Sequence, residues 1–96
     1  MLKEIRYSTH LNVRLKLRDI PYELPAEIYL SPTERHFDAV VEREIAIKPV
    51  KYKGKIREMM IVYEEHQECV VIVTIHPLKK NQKDNRIKTG RWLRRE

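Results

Sequence analysis

The chain has 96 residues and a formal net charge of +6, a length that suits one domain whose core covers roughly 60 to 70% of the surface its unfolded form exposes. Its one cysteine, Cys69, excludes an intrachain disulfide framework. No apolar stretch approaches the roughly 20 residues of a membrane helix, and the charged start from Met1 to Arg6 lacks a signal peptide's apolar segment, so a cytoplasmic protein without membrane contact is expected. The elements begin with a short extended stretch at 3–7. Residues 9–19 then admit two readings. Leu11, Val13, Leu15 and Leu17 alternate with polar residues as in a half-buried strand, but Ser8 or Thr9 as an N-cap and good helix formers favour a helix. Ile20-Pro21 breaks that element, and 22–30 reads as a second helix with Pro25 in its first turn, stopped by Ser31-Pro32.

From Arg35 onward the pattern changes to strand. Residues 37–41 and 44–50 read as outer strands, with Pro49 marking a free edge or a bulge. Lys53-Gly54-Lys55 is the clearest turn. The near-continuous apolar runs 59–63 and 69–75 fit the two central strands of a hairpin covered on at least one face. Leu78 to Lys88 reads as a third helix with Gly90 near its C-cap. The expected fold is therefore α+β: two N-terminal helices packed on a four-stranded, mainly antiparallel sheet, followed by a short basic C-terminal helix or tail. One domain spans 1–96, with a basic segment at 77–96.

The charge is uneven along this plan. Residues 1–76 hold twelve Lys/Arg and twelve Asp/Glu, whereas 77–96 hold eight Lys/Arg against Asp84 and Glu96, so the whole excess of +6 falls at the end. A neutral body with a basic end points to a polyanion or an acidic protein as partner. If 9–19 is helical, His10, Arg14 and Arg18 follow one line between two apolar flanks, Leu11/Leu15 and Val13/Leu17. Cations placed there either meet carboxylates or open into a cleft that holds an anion. Alternation puts Thr74 and His76 on one face of the last central strand, and His10 and His76 are the natural proton-transfer candidates.

Other reaction signatures are absent. Only Gly54 and Gly90 occur, so no glycine-rich phosphate loop exists, and the four histidines and one cysteine lack zinc-site spacing. No metal and no cofactor are expected. Trp92, among Arg91, Arg94 and Arg95, either stacks on an unpaired base or folds back over the core.

The order Ser8-Thr9-His10-x3-Arg14-x3-Arg18-x-Ile20, Tyr52-x-Gly54-Lys55, Val71-x-Val73-Thr74-Ile75-His76-Pro77 and Asn85-Arg86-x3-Gly90-Arg91-Trp92 resembles a small prokaryotic family of unknown function grouped with RelE-type and BrnT-type toxins. The resemblance implies a RelE-like fold, a helical 9–19, and the reaction class of the toxins: metal-independent RNA cleavage restrained by an antitoxin. On that class, chemistry gives proton transfer to His10 and His76, the phosphate to Arg14 and Arg18, and the flanking strand to Lys79, Lys80, Arg86, Arg91 and Trp92. The expected partners are RNA, free or on the ribosome, an acidic antitoxin protein, and a second copy in a homodimer. Rival expectations are a non-catalytic nucleic-acid-binding module and a protein-interaction domain.

Overall fold

A computed structural model describes residues 3–95 as six strands and three short helices: β1 (Glu4–Tyr7), α1 (Thr9–Leu17), α2 (Leu24–Leu30), β2 (Glu34–Asp38), β3 (Arg43–Tyr52), β4 (Lys55–Glu65), β5 (Cys69–Pro77), α3 (Gln82–Lys88) and β6 (Trp92–Arg95). The strands form a single sheet in the order β1-β5-β4-β3-β2-β6. This corrects the expected architecture of two helices on a four-stranded, RelE-like sheet. The two additional strands come from the chain's ends. β1 pairs parallel with β5, while β6, expected as tail, pairs antiparallel with β2. Both are four residues long; β1 matches the extended stretch expected at 3–7, though not its place in the sheet, and β6 carries no apolar alternation to mark it. Their pairing is decided by neighbours distant in sequence.

α1 forms because Ser8 caps it. The Ser8 Oγ accepts from the Leu11 N–H at 3.0 Å and donates to the Val73 carbonyl at 2.7 Å, while the Ser8 N–H donates to the Ile72 carbonyl. One residue thus ends β1, starts α1 and fastens both to β5. Only one of the helix's two apolar flanks is buried: Leu11 and Leu15 enter the core, whereas Val13 and Leu17 remain exposed. The second helix is shorter than the expected 22–30 and keeps Pro25 in its first turn, where the missing N–H costs no intrahelical bond.

Lys53 (φ 52°) and Gly54 (φ 81°) form the two-residue turn of the β3–β4 hairpin, with both φ values positive as a type I′ turn requires. Because this turn is so tight, β3 and β4 pair from Tyr52–Lys55 onward, and β4 starts four residues before the expected Met59. Pro49 lies beyond the stretch of β3 that pairs with β2, on an outer edge that asks for no N–H. The third helix is trimmed from the expected 78–88 to Gln82–Lys88 and buries no residue.

The sheet is covered unequally. On the helix side, Leu11, Leu15, Leu24 and Ile28 pack over Ala46, Ile61, Val70, Ile72 and Ile75; on the other, Ile45, Ile47, Met60 and Trp92 form a smaller cluster with Val62 and Leu78. Burial on both faces explains the near-continuous apolar runs. Register shifts between Val62 and Tyr63, which oppose Thr74 and Ile72, leaving Val73 as the extra residue of a bulge in β5. The bulge keeps Ile72 and Ile75 on the helix side together and sets His76, opposite Met60, on the other face. β1 covers β5 only from Cys69 to Ile72, so the second half of β5 is an edge bordered by α1.

Candidate anion-binding cleft

The open edge of β5 is where the charged line of α1 meets the sheet. Arg14 donates from Nε to the Ile75 carbonyl at 2.7 Å, satisfying a backbone acceptor that has no strand partner on that side and fixing the guanidinium over the edge. Around it lie two adjoining depressions. The smaller, about 170 Å³, is lined by Arg14, Arg18, Ile20, Tyr52, Lys53, Arg57, Ile75 and Pro77. The larger, about 480 Å³, is lined by Arg14, Arg18, Arg57, His76, Pro77, Lys79 and Gln82. They share the three arginines and Pro77 at the end of β5.

No carboxylate lines either depression. Among the described residues, Arg14, Arg18, Lys53, Arg57 and Lys79 make no ion pair with Asp or Glu. Five cations converging without a counter-charge focus a positive potential in a concave, partly apolar site, which is an arrangement suited to an anion. His76 sits in this field. Burial lowers its pKa from the usual 6.5, the nearby Pro77 carbonyl opposes that, and the charges of Arg14 and Lys79 push the same way as burial. Its Nδ1 lies 3.4 Å from the Pro77 carbonyl oxygen. The tautomer that uses this weak contact carries its proton on Nδ1 and leaves the Nε2 lone pair free.

The structure brings together Arg14, Arg18, His76 and Lys79 of the residues singled out from sequence. His10 is exposed one turn before Arg14 and lines neither depression. Lys80 is exposed in a neighbouring hollow that shares Arg57 and Lys79, and Arg86 lies on α3 away from both depressions. Arg91 and Trp92 belong to the fold. Arg91 pairs with Asp38 at 3.0 Å, and the Trp92 indole, 3% exposed, donates to the same carboxylate at 3.1 Å and stacks on His36. Such an enclosed ring has no face for a nucleotide base, so Trp92 takes the second of its two readings and covers the core. Burial alone would raise the Asp38 pKa, but the hydrogen bonds from Arg91, Trp92 and the Val40 and Val41 amides carry it below 3.8.

Sequence reasoning missed Arg57, Lys53, Tyr52 and Gln82. The tight Lys53-Gly54 turn was the available signal for Arg57, because a two-residue turn obliges strand pairing on both sides at once. Among the described residues, no three His, Cys, Asp or Glu side chains gather as a metal-binding group, and no helix is long and apolar enough to cross a membrane. Comparison with protein-family models, with curated proteins and with solved structures finds no match for this chain.

Proposed function

We propose that the protein is an RNA endonuclease of toxin type that works without a metal and uses the cleft at the β5 edge. The observation that carries this reading is the carboxylate-free convergence of Arg14, Arg18, Arg57 and Lys79 on His76. In such a reaction the ribose 2′-hydroxyl attacks the adjacent phosphorus, and the protein supplies a base together with positive charge for the phosphate oxygens. His76 is neutral at physiological pH because its pKa is lowered, which is the form a base requires. The arginines take the phosphate, with guanidinium geometry suited to paired oxygens. The resemblance to the toxins supplies the reaction class, and restraint by an acidic antitoxin forms part of the proposal because the cleft would receive carboxylates as well as phosphates.

The test is incubation of the purified chain with end-labelled single-stranded RNA in EDTA, beside a His76→Gln variant of verified fold. Cleavage leaving 2′,3′-cyclic phosphate ends is expected, with the variant slower by roughly 10²- to 10⁴-fold. RNA that stays intact with free chain and ribosomes alike rejects the reading. The placement of His10 outside the cleft favours a second reading, a module that binds RNA without cutting it. That reading predicts salt-sensitive retention of uncut strands.

A further inference from the structure

With His10 outside the cleft, the leaving oxygen lacks a proton donor in the two-histidine scheme. Tyr52 supplies a candidate. It ends β3 immediately before the Lys53-Gly54 turn and is 8% exposed, its ring packed with the helix-side core. The hydroxyls of Tyr7 and Tyr63 are engaged within the fold: Tyr7 donates to the Tyr22 carbonyl, and Tyr63 accepts from Arg35, each at 2.8 Å. The Tyr52 hydroxyl has no such bond among the described residues. Nor is it a sealed, unsatisfied atom; the one buried side-chain polar atom without a partner there is His36 Nδ1. The ring is therefore held by packing, and Tyr52 lines the smaller depression together with Arg14, Arg18, Lys53 and Arg57. His76 lines the larger depression, which shares Arg14, Arg18 and Arg57 with the smaller.

We infer that Tyr52 is the general acid of the cleft, sharing its three arginines with His76. This rests on the ribonuclease reading above. The 2′-oxygen forms its bond to phosphorus as its proton passes to His76 Nε2. The bond from phosphorus to the 5′-oxygen breaks, and that oxygen takes the Tyr52 phenolic proton. The products are a 2′,3′-cyclic phosphate and a 5′-hydroxyl end. The phenolate remains among four cations until water returns its proton, and water likewise removes the proton from His76. No oxidant or further reactant is required. A phenol fits because it donates through one defined hydrogen and is carried here on a ring that packing immobilises.

Tyr52→Phe removes the hydroxyl and keeps the ring, so the variant is expected to fold with an unchanged melting temperature. It is assayed on two substrates, an RNA oligonucleotide with its ordinary linkage and one whose scissile 5′-oxygen is replaced by sulfur. A thiolate leaves without needing a proton. Tyr52→Phe should slow cutting of the ordinary linkage about 100-fold or more and leave the sulfur linkage near the wild-type rate. His76→Gln should slow both. Equal slowing of both substrates by Tyr52→Phe, or no slowing of either, overturns the assignment while leaving the ribonuclease reading standing. A wild-type chain that cuts neither substrate, with or without ribosomes, removes that reading and this inference with it.

Discussion

His76 shows how much a single placement decides. A histidine with a lowered pKa is neutral in the fold at pH values where the unfolded chain already takes up a proton. Its contribution to stability is thus complete above pH 6.5 and is lost as pH falls from 6.5 through the lower folded value. Urea unfolding across this range should show that loss, and His76→Gln should flatten it. The carboxylates Glu34 and Asp38, also with lowered pKa, lose their contribution only as pH falls below 4.5 and 3.8, so the decline due to His76 begins at higher pH than theirs. Cleavage should keep its base-dependent limb below pH 6.5 for the same reason. Arg57 offers the complementary case, being exposed and free of ion pairs among the described residues. Arg57→Gln is expected to leave stability within about 0.5 kcal/mol while reducing the log-log salt slope of single-stranded RNA binding by about 0.7. His76 was a proton-transfer candidate from sequence, its face legible from alternation, but its neighbours were not, and Arg57 was not singled out at all.

At the level of elements, α1 and β6 make opposite cases. The helix was legible through Ser8, whose capping hydroxyl overrides a strand-like alternation of leucines. Ser8→Ala should cost roughly 0.5 to 2 kcal/mol, read as a drop in denaturation midpoint, with further loss from the Val73 carbonyl bond. β6 was not legible because two of its four residues are charged and its one anchor is Trp92, whose partner Asp38 lies 54 positions away. Trp92→Phe should lower stability by about 1 to 3 kcal/mol, since it removes the indole N–H from a buried carboxylate that keeps Arg91 and the Val40 and Val41 amides, and should leave RNA affinity unchanged. A fall in RNA affinity without a fall in stability would return the ring to the binding surface.

For the whole molecule, the distribution of charge along the chain differs from its distribution in space. The last twenty residues carry the net excess, yet Lys83 bridges Glu34 and Glu58 at 2.7 and 2.9 Å, Arg91 meets Asp38, and Arg95 meets Glu44. By occupying the body's carboxylates, the basic end leaves the body's own cations uncompensated at the β5 edge. Removing two charges from different places separates this account from general attraction. Arg94→Gln/Arg95→Gln should leave the salt slope of RNA binding close to wild type, whereas Arg18→Gln/Arg57→Gln should lower it by about 1.4, twice the single-contact value. Equal effects from the two pairs would mean that net charge alone governs binding.

Local chemistry by itself determined the capped first helix, the proline-started second, the Lys53-Gly54 turn, the paired apolar strands and the line from Arg14 to Arg18. Each depends on residues within a few positions of one another, where propensity, capping and periodicity act. The outermost strands, the burial of Trp92, the separation of His10 from His76, and the arrival of Arg57 and Tyr52 at the cleft were decided only in three dimensions. These depend on register between segments tens of residues apart and on which carboxylates the basic end neutralises. Both are set by the competition of whole elements for the same sheet edges and faces, beyond the reach of any short window of sequence.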